Sequence, residues 1–133
     1  MAFVLDASIS AVWALADEAS PLADRAAERL RGEIAIVPPI WWYEVRNLLV
    51  VNERRQRMTE ADSRLFLTLL SAYPIQIDDA DDERAIFQLA RNHRLSFYDA
   101  AYLAVAQRNH VPLATLDKAV QNAALAEGIS LLS

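Results

Sequence analysis

Short apolar runs alternate along this chain with longer stretches in which apolar residues recur every three or four positions. Phe3-Val4-Leu5 is a β-prone run closed by Asp6, after which Ser8 or Ser10 can cap a helix carrying Ile9, Val12, Trp13 and Leu15. Ser20-Pro21 reads as an N-cap followed by proline at the first helical position, and that helix runs through Leu22, Ala26 and Leu30 to a stop at Gly32. Ile34 to Val37 is a second strand, ended by Pro38-Pro39. A long helix from Ile40 to Gln56 then turns Trp41, Val45, Leu48, Leu49 and Val51 inward. Thr59-Glu60-Ala61-Asp62 has the form of a capping box with Asp in the return position and opens a helix through Leu65, Phe66, Leu69 and Leu70. Pro74 breaks it, and Ile75-Gln76-Ile77 is the third strand. Glu83 to Arg94 is amphipathic, and Ser96 caps a helix with Tyr98, Tyr102, Leu103 and Ala106 at helical spacing. Pro112 to Thr115 gives a fourth strand, Asp117 to Glu127 a last helix ending at Gly128, and Ile129 to Leu132 a terminal fifth strand.

Short strands alternating with helices predict βα units, hence an α/β fold with a mainly parallel sheet of four to five strands and right-handed crossovers. At 133 residues the chain fits one domain, residues 1–133, and neither a repeat nor a linker divides it. With 54% hydrophobic residues against 23% charged, disorder and low complexity are excluded. The longest apolar stretch, Ile34 to Tyr43, is broken by two prolines and falls short of the roughly 18 residues a membrane span needs, so no membrane association is expected. The start, Met-Ala-Phe-Val-Leu-Asp, has no secretory signature, and a cytoplasmic location is the expectation. The absence of cysteine removes disulfides, thiolate metal sites and Cys nucleophiles, and only His93 and His110 remain as imidazoles, so any metal must be held mainly by oxygen.

A net charge of −5 speaks against binding nucleic acid through a basic surface alone. Discounting four carboxylates as metal ligands takes −5 to −1, so charge does not exclude a metal-dependent nuclease. Twelve of the 13 bases are arginine, with Arg46, Arg54, Arg55, Arg57 and Arg64 close together. The guanidinium fork suits phosphate, but a solvated helix end is the favoured reading of such a run.

In an open parallel sheet, ligands bind outside the carboxyl ends of the strands. Four acids qualify there. Asp6 closes the first strand, Glu44 lies near the start of the helix after the second, Asp99 opens the helix before the fourth, and Asp117 follows the fourth. Ser8, Asn47 and Thr115 stand beside them in sequence. Unit negative charges about 5 Å apart repel by roughly 3 kcal/mol at an effective dielectric near 20, so such a set must take up protons or attract cations. Hard oxygen ligands favour Mg²⁺ or Mn²⁺, the ions of metal-assisted phosphodiester hydrolysis. Helix capping is the competing reading, above all for Asp99 and Asp117, because caps place acids at the same end of the sheet.

At these residues the sequence resembles the PIN-domain family, in particular the VapC-type ribonuclease toxins of toxin–antitoxin pairs. The likeness runs from Phe3-Val4-Leu5-Asp6-Ala7-Ser8 through Glu44-Val45-Arg46-Asn47-Leu48-Leu49 and Leu95 to Ala106, with its Tyr-Asp-Ala and Tyr-Leu, to Ala114-Thr115-Leu116-Asp117. The resemblance implies a three-layer α/β/α sandwich in which Asp6, Glu44, Asp99 and Asp117 are both the metal ligands and the catalytic set, supported by Ser8, Asn47 and Thr115. It also implies an endoribonuclease that cleaves RNA with metal-activated water, a homodimer, and restraint by a cognate antitoxin, with DNA reached only through that antitoxin. Arg46, flanking Glu44, is the candidate contact to the RNA backbone. Ala7 stands where many relatives carry Thr or Ser, a change of little consequence because the neighbour of a ligand points to the other side of an extended strand.

Two other readings belong to different classes. A phospho-acceptor receiver domain shares the length, acidity and α/β build, but it wants a Lys closing the fifth strand, where Ser130 to Ser133 offers none. A catalytically inactive PIN-fold interaction module would keep the fold without the activity. A haloacid-dehalogenase-type phosphatase wants a second Asp two positions after the first, where Ser8 stands. The acidic run Asp78, Asp79, Asp81, Asp82 and Glu83 lacks the spacing of a calcium loop and is expected to cap the following helix. His93 and His110 are expected on the surface, and Trp41 or Trp42 at the core or a subunit contact.

Overall fold

The computed structural model describes residues 1–133. Strands β1 (Ala2–Leu5), β2 (Ile34–Val37), β3 (Ile75–Ile77) and β4 (Leu113–Ala114) form one sheet in the order β3-β2-β1-β4, every pair parallel. The helices are α1 (Ala7–Ala14), α2 (Pro21–Arg29), α3 (Ile40–Arg54), α4 (Glu60–Leu70), α5 (Glu83–His93), α6 (Phe97–Asn109) and α7 (Lys118–Ala126). The chain steps from β1 to β2 to β3 in one direction and then returns past β1 to lay down β4. Right-handed crossovers therefore put α1 to α4 on one face and α5 to α7 on the other, and the packing agrees: α1 meets α2 and α3, while α6 meets α5 and α7. This is the three-layer α/β/α arrangement.

The central strand is dry on both faces, with Phe3, Val4 and Leu5 fully buried. Helix α6 is buried from Ala100 through Ala106 without a break, so its pattern is not that of a half-exposed helix. Its alanines let the helix lie close against the sheet between α5 and α7. Local capping follows the sequence closely. Ser20 accepts from the Ala23 amide, Ser96 from the Asp99 amide, and Thr59 and Asp62 exchange both bonds of a capping box.

The structure corrects several details. Asp6, not Ser8 or Ser10, is the N-cap residue of α1; Ser8 turns back to Asp6, and buried Ser10 accepts from the Trp41 indole at 3.3 Å. On α4 the inward residues are Ser63, Phe66 and Leu70, while Leu65 and Leu69 face solvent. The terminal strand is reduced to a single parallel bridge, Leu113 with Leu131. The acidic run does not cap α5, since Asp82 makes no side-chain cap bond. Asp78 and Asp82 instead pair with Arg108, and Asn109 donates to Asp78 at 2.8 Å, tying the β3–α5 loop to the end of α6. His110 is exposed as expected, whereas His93 is half-buried against Glu127 at 2.6 Å. Trp41 joins the core and Trp42 stays exposed.

Candidate active site

The strand order reverses about β1, so the crevice at the carboxyl ends of β1 and β4 is the place where this topology leaves room for a ligand. Asp6 leaves the end of β1 into that crevice, 8% exposed. Ser8 Oγ donates to its Oδ2 at 2.7 Å and Thr115 Oγ1 to the same oxygen at 2.6 Å. The two hydroxyls are themselves fixed, because Ser8 Oγ accepts from the Leu116 amide at 3.0 Å and Thr115 Oγ1 from the Asp117 amide at 3.1 Å. The β1–α1 turn and the β4–α7 turn are thus laced together around one carboxylate. Asp117 caps α7, its Oδ1 accepting from the Val120 amide at 3.1 Å, with its side chain at the exposed rim.

From the other side of the crevice come Glu44, one turn into α3, and Asp99, in the first turn of α6. Both are half-buried. Glu44 shares a groove with Ala7, Ser8, Asn47 and Leu48, which puts Asn47 beside the cluster although it makes no side-chain hydrogen bond. The carboxylates feel one another. Burial, and then Asp117, push Asp6 above the ordinary carboxylate range against the opposing effect of Thr115 and Ser8. Glu44 is raised by burial and by the charges of Asp6 and Asp99, and Asp99 by burial and by Asp117 and Asp6. None of the four acids pairs with an Arg, Lys or His.

A hard divalent cation fits this donor set. The residues offer oxygen only, carry mutual repulsion that a cation would relieve, and include a buried carboxylate already oriented by two hydroxyls. As they stand, no three acidic side chains are drawn together tightly enough to enclose an ion, as expected for carboxylates that repel. Arg46 is not brought to the cluster. Two residues apart on a helix point to nearly opposite sides, and its guanidinium lies 3.9 Å over the Trp42 ring, facing Leu67, Ser71 and Tyr73. One residue escaped the sequence reading. Tyr102, read there only as a residue at helical spacing and part of the resembling segment, is 1% exposed and donates its hydroxyl to Glu44 Oε1 at 2.6 Å. Its place one turn after Asp99, in a run of alanines, was the available signal.

The chain is similar in structure to PAE2754 from Pyrobaculum aerophilum, at 24% identity over 92% of this chain and 87% of that one, with a TM-score of 0.71. It is also similar to VapC20 of Mycobacterium tuberculosis, a toxin that cleaves the sarcin-ricin loop, at 17% identity over 99% and 98% of the two chains, with a TM-score of 0.68. At these identities the likeness speaks to the fold. No curated protein matches the sequence. The PIN domain family matches residues 3–125, a span that contains all four acids together with Ser8, Thr115 and Tyr102. A sheet order that opens a crevice beside β1, acids converging on it from four separate segments, and a family match over almost the whole length lead to one assignment: the chain belongs to the PIN-domain family.

Proposed function

We propose that this protein is a Mg²⁺- or Mn²⁺-dependent endoribonuclease of the VapC type, the toxin of a toxin–antitoxin pair. The observation that carries the reading is the buried, doubly hydrogen-bonded Asp6 carboxylate, with Glu44, Asp99 and Asp117 around it and no basic side chain to neutralise them. In this reading Asp6, Glu44, Asp99 and Asp117 hold the ion. Ser8 and Thr115 fix the orientation of Asp6, and Asn47 lies along the groove for the RNA strand. Bound Mg²⁺ or Mn²⁺ supplies Lewis acidity, which makes water a competent nucleophile near neutral pH and offsets charge on the phosphodiester. No side-chain nucleophile is needed.

A homodimer belongs to the same proposal. A cavity of about 470 Å³ opens between the starts of α3 and α6 and the β3–α5 loop, lined by Pro38, Pro39, Tyr43, Ile86, Phe97 and Tyr98. Tyr43, Phe97 and Tyr98 are exposed around it, as is Phe87 against Phe97. Single exposed apolar residues are ordinary, but a cluster of four aromatics is the surface a second copy covers. RNA is the substrate and an antitoxin the restraining partner in this reading, with DNA contacted only through the antitoxin. No helix is long and apolar enough to cross a membrane. A cytoplasmic location is part of the same proposal.

The test is cleavage of a panel of structured and single-stranded RNAs by the antitoxin-free protein in Mg²⁺, Mn²⁺ or EDTA, beside Asp99→Asn. Cleavage that requires metal and disappears in the variant is the expected result. Metal-independent cleavage, or a variant as active as wild type, overturns the assignment. Labelling by a small phosphodonor would favour the receiver-domain reading instead.

A further inference from the structure

Tyr102 makes the one hydrogen bond that reaches the Glu44 carboxylate, at 2.6 Å, and it does so between the two helical layers: Glu44 stands on α3, Tyr102 on α6. Resting on the metal-nuclease reading, we propose that Tyr102 is the positioning residue of the site, holding Glu44 Oε1 so that Glu44 joins Asp6 and Asp99 in a fixed geometry.

Four observations support this role. A glutamate has three rotatable side-chain bonds, and Glu44 is otherwise unrestrained, whereas Asp6 has two hydroxyls and Asp117 a backbone amide. Without a partner Glu44 would lose more freedom than either on taking up a cation. Next, Tyr102 is among the largest fully buried side chains, so its ring is locked by the core and its hydroxyl is a rigid donor. Third, α6 carries Asp99 and Tyr102 one turn apart, so the helix that supplies one acid also fixes another, and the spacing between them is set by backbone geometry.

The fourth observation is the donor's chemistry. A phenol, whose ordinary pKa is about 10, is uncharged near neutral pH and donates its O–H. A lysine or arginine in this place would orient Glu44 equally well but would bring a positive charge into a cluster that has none, and would compete with the divalent ion. A tyrosine hydroxyl orients the carboxylate and leaves its charge available. Glu44 Oε2 keeps no protein partner.

Partners of ligand carboxylates typically contribute about 10- to 100-fold in metal affinity or activity. The decisive variant is Tyr102→Phe, which removes one oxygen and leaves the ring. Two readouts are taken, the rise in Tm on titration with Mn²⁺ alone and the Mn²⁺ concentration for half-maximal RNA cleavage. The variant is expected to need about 10-fold more Mn²⁺ in both, with cleavage recovering at high Mn²⁺ and KM for RNA little changed. Ser63→Ala, which removes a buried hydroxyl on α4 that donates to Glu53, is expected to lower Tm without moving the Mn²⁺ requirement. If Tyr102→Phe does not fold, Glu44→Asp, which shortens the acceptor by one methylene and pulls it from the phenol, is expected to show the same Mn²⁺ shift. Wild-type Mn²⁺ dependence in Tyr102→Phe, or in Glu44→Asp where only that variant folds, overturns the positioning role and leaves the nuclease reading standing. A wild-type protein that gains no Tm with Mn²⁺, or that Asp99→Asn matches in full, removes the metal site and this role with it.

Discussion

Thr115→Val tests how the crevice holds a buried charge. Thr115 is 1% exposed, its hydroxyl donates to Asp6 Oδ2 at 2.6 Å, and it accepts from the Asp117 amide at 3.1 Å. Valine has nearly the same shape, so packing is conserved and the hydroxyl alone is removed. A hydrogen bond to a charged acceptor contributes about 1.5–3 kcal/mol, and the amide of Asp117, at the exposed rim, can be satisfied by water at a cost of at most about 1 kcal/mol. The expected loss is therefore about 2–3 kcal/mol, or about 10 °C in Tm for a domain of this length. The same substitution in an Asp6→Asn background removes a bond to a neutral acceptor, worth about 1 kcal/mol, so the cycle should show a coupling of about 1–2 kcal/mol between positions 6 and 115. The assay is chemical denaturation of the four proteins in EDTA at alkaline pH, which favours the charged form of Asp6. A cost for Thr115→Val that is equal in both backgrounds would mean the hydroxyl serves packing or the Asp117 turn. The account of Asp6 as a charge oriented by hydroxyls would then be wrong.

The metal-free protein should respond to pH in the sense opposite to ordinary acid denaturation over part of the range. Asp6, Glu44 and Asp99 are raised, so within the interval between the ordinary carboxylate value and their folded values the native state binds more protons than the unfolded chain. Stability therefore falls as pH rises through that interval. In EDTA, Tm should rise as pH is lowered through that interval and the rise should shrink in Asp6→Asn; a Tm that only falls with acid refutes it. Asp78, lowered through Asn109, the Ala80 amide and Arg108 against the cost of burial, acts the other way, its contribution present above the ordinary carboxylate value and lost as pH falls through the depressed one. Arg108→Ala leaves Asp78 and Asp82 unpaired at a partly exposed site and should cost about 1–2 kcal/mol by denaturant titration, without altering the Mn²⁺ response. Phe97→Glu places a charge in the apolar cavity at a helix start that tolerates acids, so the fold should persist while sedimentation velocity shows monomer where wild type shows dimer. Dimer in both would remove this face from the interface.

What could be read from the sequence was what depends on neighbours. Ser20, Thr59 and Ser96 cap helices through bonds to residues three positions on, and strands bounded by proline or acid showed themselves in a few residues. The ends of β1 and β4 placed Asp6 and Thr115 in the crevice because parallel topology allows little else. Other features depend on which way an element is rolled or on contacts between remote segments. Leu65 and Leu69 have the same spacing as Phe66 and Leu70, so the pattern alone could not say which pair meets the core. Arg46 follows Glu44 by two residues and faces away for that reason. Arg108 meets Asp78 and Asp82 across nearly 30 positions, and Tyr102 meets Glu44 across 58.

Asp117 shows a deeper reason why acids at helix starts are hard to read. The sequence poses capping and ligand binding as alternatives, yet a carboxylate has two oxygens. Asp117 Oδ1 accepts the Val120 amide, and its charge still raises Asp6 and Asp99. The cap fixes the rotamer, and a fixed rotamer is what a ligand needs if it is not to lose freedom on meeting a cation. The same economy operates at Asp6, oriented by Ser8 and Thr115, and at Glu44, oriented by Tyr102. Each of these acids is restrained by a neutral donor, so orientation is obtained without neutralising the charge. A site built for stability alone would have placed an arginine among them, as the fold does for Asp78 and Asp82. The contrast between those two clusters, equally acidic in sequence, separates a structural clamp from the cation site we propose.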